Sequence, residues 1–225
     1  MATISHVVKK SLDSKPTLQE SMIEGVINFS NLADRLQSEI EADLGKECNR
    51  SAIIMALRRY SEQLQSKTLV KKPFKVYPEI TMRSDICDIC LVKTPSAMDK
   101  IKDIYRRVDS DKGETINVIQ GNYEITIVIS QKYLGQLKQK LRSEKILNIE
   151  KDLVSLTLSL TKEFLHTPGI LSFLTRKLAW SNINIVENIS TMTELIFIIS
   201  EKDAVRAYNT FQEMIKEHSG EILEK

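Results

Sequence analysis

Residues 154–180 read VSLTLSLTKEFLHTPGILSFLTRKLAW, and this stretch decides how the second half of the chain folds. Apolar and polar residues alternate from Val154 to Leu158, which is typical of a half-buried strand. Pro168 has no backbone N–H to donate and Gly169 tolerates almost any backbone conformation, so the strand should end before them. Leucines then recur at helical spacing, at Leu171, Leu174 and Leu178. The pattern predicts a strand, a turn and a helix.

The turn Thr167-Pro168-Gly169-Ile170 is the first candidate for a ligand site. The first N–H groups of a helix have no partner inside the helix, and such groups bind anions such as carboxylates. His166 stands directly before the turn, where its imidazole can take up a proton near neutral pH and attract a ligand carboxylate. An ordinary polar turn residue is an equally good interpretation of His166. The turn therefore predicts a ligand with a negatively charged group.

The composition is that of an ordinary folded protein with one large domain or two to three small ones. Of its 225 residues, 42% are hydrophobic and 28% are charged. The formal net charge of +2 neither requires nor excludes a nucleic-acid partner. Three cysteines argue against a disulfide-stapled secreted domain, and residues 1–14 lack the apolar core of a signal peptide. The longest strongly apolar run, Leu195–Ile199, has only strand length, so we expect a soluble, cytoplasmic protein without a membrane partner.

The N-terminal segment is helical in pattern, with three predicted helices. The first covers about residues 16–28, and the second runs from a cap at Ser30 or Asn31 to a stop at Gly45. The third begins after Asn49, which can cap it. Three helices with short connections predict a small bundle that resembles a helix-turn-helix arrangement.

If this bundle binds DNA, its third helix is the one that we expect to contact the DNA. The candidate DNA contacts on that helix are Asn49, Arg50, Ser51, Arg58 and Arg59. Lysines that could contact phosphates follow the helix, at Lys67, Lys71, Lys72 and Lys75. The alternative is a solvated helix face followed by a basic linker. Acids on the neighbouring helix would repel DNA if they faced the same side, namely Glu39, Glu41, Asp43 and Glu47.

From Glu79 onward, strand-like runs alternate with helical patterns, and the same plan occurs twice. The matching pairs are Thr94-Pro95 with Thr167-Pro168, residues 116–118 with 183–185, and residues 124–132 with 194–202. Because the order and the residue types agree across these pairs, we interpret the region as a duplicated unit.

The duplication predicts an α+β fold class. An N-terminal helical bundle (residues 1–75) precedes two ferredoxin-like βαββαβ domains, which we name the first repeat (76–149) and the second repeat (150–219). Each should form an antiparallel sheet with its helices on one face. Two short helices cover a sheet thinly, so we expect the repeats to pack side by side or the chain to dimerise. A short strand is expected at Ile146–Ile149, and a separate strand at 153–160 opens the second repeat.

The second repeat resembles an ACT domain, and the tandem from Glu79 onward resembles the regulatory half of aspartate kinases. The motifs that carry this resemblance are residues 152–156 (DLVSL), 167–170 (TPGI), 183–185 (INI) and 194–195 (EL). In that family the domains bind amino acids or other small metabolites and change the activity of an attached module. The ligand usually sits between two ACT units. Carried over by position, the resemblance implies a ligand site at Thr167, Pro168, Gly169, Ile170, Ile183 and Asn184.

The sequence departs from the family pattern at four places. Where many members have an Asp two residues before the Pro-Gly pair, this chain has His166. Asn182 stands where a Gly is usual, although Asn still tolerates the left-handed conformation. In the first repeat Lys93 and Ser96 replace the acid and the glycine, so the second repeat is the favoured binding unit. The alternative is that both repeats are assembly modules with an empty turn.

The remaining motifs do not point to catalysis. Cys87 and Cys90 have CxxC spacing, but residues three apart in a strand point to opposite faces, so two half-buried cysteines are expected. No phosphate loop, nucleophile setting or cofactor motif is recognisable, so we predict no cofactor and no metal. Trp180, at the end of its helix, is assigned to packing or to a dimer contact.

These observations predict a non-enzymatic regulatory protein that senses a small ligand, an amino acid first of all, through its tandem repeats. Binding would favour one geometry of a homodimer or higher homo-oligomer, and the N-terminal bundle would carry the output to DNA. The alternative is a regulatory subunit whose bundle binds a separate metabolic enzyme. An enzyme in its own right ranks last.

Overall fold

The structure, a computed structural model, describes residues 3–66, 78–106, 108, 114–161, 164 and 167–218. The chain divides into two compact units, Met1–Lys71 and Lys72–Lys225. The expected boundary at residue 75 lies outside the described residues, as do the candidate phosphate contacts Lys67, Lys71, Lys72 and Lys75. Within the described ranges, no helix combines the length and the apolar character that crossing a membrane requires.

The described part of the N-terminal unit contains four helices, not the three expected from sequence. They are α1 (Ile4–Asp13), α2 (Pro16–Ile23), α3 (Phe29–Leu44) and α4 (Arg50–Ser66). The additional helix is α1, which is capped by Thr3, whose Oγ1 accepts a hydrogen bond from the His6 N–H at 3.3 Å. Its apolar side chains are fully buried against the other helices, at Val7, Val8 and Leu12.

Helix α2 ends five residues earlier than expected because Gly25 stops it. Gly25 has φ of +75°, and its N–H and that of Val26 bond back to Met22 and Ser21, each at 3.2 Å. This pair of bonds is a Schellman motif, which a glycine after the helix end favours. Helix α3 is then capped by Asn28 and not by Ser30 or Asn31, whose N–H groups donate to the Asn28 side chain.

The second unit contains one six-stranded antiparallel sheet and four α-helices in its described residues. In chain order the elements are β1 (Glu79–Val92), α5 (Pro95–Tyr105), β2 (Ile116–Gln120), β3 (Glu124–Ser130), α6 (Leu134–Lys140), β4 (Ile146–Ser159), α7 (Ile170–Trp180), β5 (Ile185–Ser190), β6 (Glu194–Ser200) and α8 (Ala204–His218). The strand order is β2-β3-β1-β4-β6-β5, so the two repeats lie side by side. The α+β prediction is confirmed, including two ferredoxin-like repeats behind a helical module.

Strands β1 and β4 join the repeats because each is long enough to serve both. Glu79 at the start of β1 lies opposite Ser159 at the end of β4, and Leu91 lies opposite Ile146. Strands β2 and β3 belong to the first repeat, and β5 and β6 belong to the second. One half of β1 and one half of β4 complete a four-stranded sheet in each repeat. The separate strands expected at 146–149 and 153–160 are one fourteen-residue strand, and the expected boundary between residues 149 and 150 falls inside it.

Matching irregularities divide both long strands near their midpoints. Asp85 in β1 and Asp152 in β4 have φ of +56° and +54°, at equivalent positions. An irregular residue shifts the alternation of side chains between the two faces of a strand, which is why sequence periodicity predicted two strands in place of β4.

The helices of each repeat cover the same face of the sheet. Over the first repeat they pack on alternate side chains of β1 and β3, namely Cys87, Ile89, Leu91, Ile125, Ile127 and Ile129. Over the second repeat they pack on β4 and β6, at Val154, Leu156, Leu158, Leu195, Phe197 and Ile199. A smaller buried cluster lies on the opposite face, formed by Ile86, Val128, Leu153 and Ile198.

Candidate functional site

The turn before α7 leaves the start of that helix without a capping side chain from its N-cap residue. The N-cap is Gly169, with φ of +84°, and its carbonyl accepts the first intrahelical bond from the Phe173 N–H at 2.9 Å. A Cβ built on Gly169 would meet no described heavy atom within 4 Å, so no described side chain fills the space beside Gly169. His166, the expected neighbour of this site, lies outside the described residues.

The equivalent helix start in the first repeat is occupied by a carboxylate of the chain itself. Thr94 caps α5, its Oγ1 accepting from the Ala97 N–H at 3.0 Å and donating to Glu144 at 2.9 Å. The Ser96 hydroxyl donates to the other oxygen of Glu144 at 2.8 Å, and Lys100 forms an ion pair with it. The Glu144 side chain is only 7% exposed.

These contacts stabilise the ionised form of Glu144. Hydrogen bonds from Lys100, then Ser96 and then Thr94 lower the pKa of the Glu144 carboxyl to about 2. An anion is therefore held at the start of α5, where the helix dipole and the capping groups favour negative charge.

The second repeat has no such internal acid at the equivalent position. Ser130 and Ser200 correspond in the two repeats, so the position of Glu144 corresponds to Met214, which is buried in the core of the second repeat. The two helix starts thus differ in their caps, a threonine side chain at α5 and a glycine at α7, and in the group beside them. The first repeat supplies its own carboxylate, whereas no carboxylate of a described residue is hydrogen-bonded at the start of α7.

The connection from α7 to β5 positions the other predicted residues. Asn182 has φ of +53°, so the expected left-handed conformation is confirmed. The Asn182 N–H donates to Ala179 at 2.9 Å and the Ile183 N–H to Leu178 at 3.0 Å, which forms a Schellman motif. Ile183 is thereby buried in the core, and Asn184 is exposed directly before β5.

The predicted site residues divide between two clefts. Ile183 and Asn184 line an open cleft of about 470 Å³, the α7/β5 cleft, together with Ser172, Thr175, Arg176, Ala179 and Ile185. Ile170 lines a smaller apolar cleft of about 100 Å³ with Leu160, Phe164, Leu171, Ser190, Thr191, Met192 and Leu195. As far as the described residues go, Thr167, Pro168 and Gly169 line neither cleft.

Sequence reasoning did not identify the cation of the α7/β5 cleft, Arg176. Its guanidinium donates to the Ser172 hydroxyl at 3.4 Å, one helical turn earlier. Ser172, Arg176 and Ala179 follow the spacing of one helix face, which was visible in the sequence but carried no motif. A guanidinium beside polar groups is a favourable partner for a carboxylate.

The five candidate DNA contacts of α4 have different environments. Asn49 caps the helix through its side chain, which accepts from the Ser51 N–H at 2.9 Å. Arg50 is engaged by Asp34, with Nη2 to Oδ2 at 2.8 Å and a second bond from Nε. Arg58 and Arg59 are exposed and have no ion-pair partner among the residues that the structure describes. Of the five candidates, these two arginines carry a positive charge that no described residue pairs.

The two cysteines of β1 and the single tryptophan were also assigned environments from the sequence. Cys87 and Cys90 lie on opposite faces of β1, as expected, with Cys87 buried in the core of the first repeat. Burial, and then the charge of Asp88, raises the pKa of the Cys87 thiol to about 11, which makes it a poor nucleophile. Trp180 is 83% exposed, so its assignment to core packing is wrong, and a dimer contact stays a prediction.

The fold resembles known proteins, although no protein-family model and no curated protein matches the sequence. The regulatory subunit of aspartate kinase from Thermus thermophilus, in a ligand-free form, is 13% identical, covering 62% of this chain and 98% of that chain with a TM-score of 0.50. Aspartokinase alpha and beta subunits are 15% identical, covering 63% and 99% with a TM-score of 0.51. Aspartate kinase from Synechocystis is 12% identical, covering 79% and 33% with a TM-score of 0.51. The second unit therefore has the ACT-like fold of aspartate kinase regulatory domains.

Proposed function

We propose that this protein is a non-enzymatic regulator that senses a small carboxylate-bearing ligand, an amino acid, through its second repeat. The observation that carries the proposal is the contrast between the two helix starts. At α5 the Glu144 carboxylate is held by the capping groups and by Lys100, whereas no described residue fills the space beside Gly169 at the start of α7. In the first repeat the Glu144 side chain fills the anion site. In the second repeat we propose that the carboxylate of a free ligand fills the equivalent place.

The proposed ligand site extends from the turn before α7 to the start of β5. Its predicted members are His166, Thr167, Pro168, Gly169 and Ile170 on the turn, with Asn182, Ile183 and Asn184 opposite them. Arg176 and Ser172 add a positive charge and a hydroxyl in the α7/β5 cleft. The ligand carboxylate is expected near Arg176 and the helix start, since both favour negative charge.

A homodimer would complete this site. Strand β5 is at one end of the sheet, where its outer edge can pair with a strand of a second copy. Exposed apolar side chains of α7, at Leu171 and Trp180, lie on the same repeat and are suited to such a contact. A ligand between the two copies would favour one dimer geometry by about 1–3 kcal/mol, the usual size of allosteric coupling.

The output of the sensor is proposed to be DNA binding through Arg58 and Arg59 of α4. A second candidate output is a contact with a separate metabolic enzyme. Two observations favour that alternative: Arg50 is already engaged by Asp34, and Met55 is 50% exposed on the same helix as the free arginines. An exposed methionine suits a protein partner better than a phosphate backbone.

A thermal-shift screen of the full chain against the standard amino acids tests the sensor. We expect at least one amino acid to raise the melting temperature, and we expect Gly169→Val and Arg176→Gln to reduce that ligand-induced shift. Arg142→Gln removes an exposed arginine of the first repeat and serves as the matched control, which should keep the full shift. A shift that survives both site variants undiminished would place the ligand elsewhere, and the absence of any shift would contradict the proposal.

A further inference from the structure

A third cleft lies on the face of the sheet opposite the helices; it shares Asn184 and Ile185 with the α7/β5 cleft, but neither Arg176 nor Gly169 lines it. It has a volume of about 390 Å³, and we name it the acidic cleft. Four strands contribute its lining, with Asp88 and Cys90 from β1, Glu124 from β3, Glu150 from β4 and Glu187 from β5. In a flat sheet β1 and β5 would be about 14 Å apart, so the sheet curls to bring them together.

All charged groups that line the acidic cleft are acids. They come from four different strands, as Asp88, Glu124, Glu150 and Glu187. Among the described residues no Lys or Arg lines the cleft. Cys90 adds a thiol whose S–H donates to a Glu124 carboxylate oxygen at 3.1 Å. The cleft therefore concentrates negative charge without an internal counter-charge.

Asp88 is the buried member of this group. Its side chain is 4% exposed, and its Oδ2 atom has no hydrogen-bond partner in the part of the chain that the structure describes. Buried polar atoms in folded proteins almost always have a partner, because an unpaired one is energetically costly. Burial, then the charges of Glu187 and Glu150, raises the pKa of Asp88 to about 6, so the carboxylate is ionised at neutral pH and destabilised there.

The fold does not require this arrangement of acids. Asp88 lies directly opposite Glu150, and like charges directly opposite each other destabilise a sheet. At the equivalent place in the other half of the same strand pair, Ser155 lies opposite Arg83. Arg83 and Ser155 thus form a basic and neutral pair at one position, and Asp88 and Glu150 form an acidic pair at the equivalent one.

From these observations we infer that the acidic cleft binds a linear diamine or polyamine, with one ammonium group against Asp88 and Glu150 and another toward Glu187 and Glu124. An ammonium donates up to three hydrogen bonds and so provides the partner that Asp88 Oδ2 lacks. An amino acid is disfavoured because its carboxylate would face only acids. A metal ion is disfavoured because nowhere in the described ranges do three or more His, Cys, Asp or Glu side chains form a group that could hold one.

The test is isothermal titration of the full chain with spermidine and with 1,4-diaminobutane at neutral pH and low salt. We expect binding to the wild type, and binding weaker by about tenfold or more in Asp88→Asn, as for the loss of one charge-assisted hydrogen bond. Asp99→Asn is the matched control, since it removes an exposed acid of α5 outside the cleft, and it should leave the affinity unchanged.

Three results would overturn the inference. They are no binding of either amine to the wild type, equal affinity in Asp88→Asn, and displacement of spermidine by equimolar calcium or L-lysine. If Asp88→Asn does not fold, Glu187→Gln replaces it, and wild-type binding should weaken as the pH falls through about 6, the pKa of Asp88. Arg176→Gln should leave amine binding intact, so that failure of the amino-acid site and failure of this cleft are distinguishable.

Discussion

The turn before α7 can be tested by a matched pair of glycine substitutions. Gly169 and Gly135 both have open space where a Cβ would stand, but only Gly169 has a positive φ, of +84°. Gly135 lies inside helix α6. At both positions a Cβ would meet no described atom, so the sign of φ is the main difference that an added methyl group experiences.

The expected magnitudes follow from that difference. At Gly169 an alanine must adopt the left-handed conformation, which costs about 1–2 kcal/mol, while the lower entropy of its unfolded chain offsets about 0.4–1 kcal/mol. Gly169→Ala should therefore destabilise the second unit by about 1 kcal/mol. At Gly135 an alanine gains the helix propensity that glycine lacks, so Gly135→Ala should stabilise by up to about 1 kcal/mol.

Native-state hydrogen exchange of the β6 amides measures both effects in the same unit. These amides belong to the buried core, so they exchange with solvent only when a large part of the fold unfolds. A gap of about 2 kcal/mol between the variants corresponds to roughly a 30-fold difference in exchange rate. If Gly169→Ala exchanges as slowly as the wild type, the left-handed turn is not formed as described, and the reasoning about the open helix start is refuted.

Three further predictions concern charges. The folded-state pKa of Glu144, about 2, is below its ordinary value, so its contribution to stability is present above pH 4.5 and is lost as the pH falls toward 2. Glu144→Gln should flatten the melting temperature across that window, and an unchanged pH profile would count against the ion pair. The folded pKa of Asp88, about 6, is above its ordinary value, so its contribution to stability is present below pH 3.8 and is lost as the pH rises through 6. Asp88→Asn should therefore raise the melting temperature at neutral pH but not near pH 4, and a lower melting temperature at neutral pH would show that the carboxylate is satisfied. Arg58→Ala combined with Arg59→Ala should weaken DNA binding and flatten its salt dependence, and unchanged affinity in fluorescence anisotropy, or no binding at low salt, would exclude DNA as the output.

Local signals in the sequence predicted much of the fold. The stop at Gly45, the cap at Asn49 and the Thr94-Pro95 helix start are as expected, because each depends on residues within one turn. The duplication added what local signals cannot supply, since two matching patterns of strands and helices suggest two copies of one sheet. The side-by-side packing of the repeats followed from how thinly their helices cover that sheet.

What the sequence could not show depends on contacts between distant residues. The shared strand pair joins β1 to a strand far along the chain, from Leu91 opposite Ile146 to Glu79 opposite Ser159, so periodicity alone divided β4 into two. Glu144 reaches the start of α5 from the end of the same repeat, and no local motif marks it. The acidic cleft requires the curl of the sheet, which brings Glu187 to Asp88 across two intervening strands.

Binding stoichiometry tests the central claim most directly. Isothermal titration of the full chain with the amino acid identified in the screen should give one site per chain, because Glu144 already takes the helix start of the first repeat. Binding should be lost in Arg176→Gln and kept in Arg142→Gln. Two equivalent sites per chain, or one site that Arg176→Gln leaves unchanged, would contradict the account.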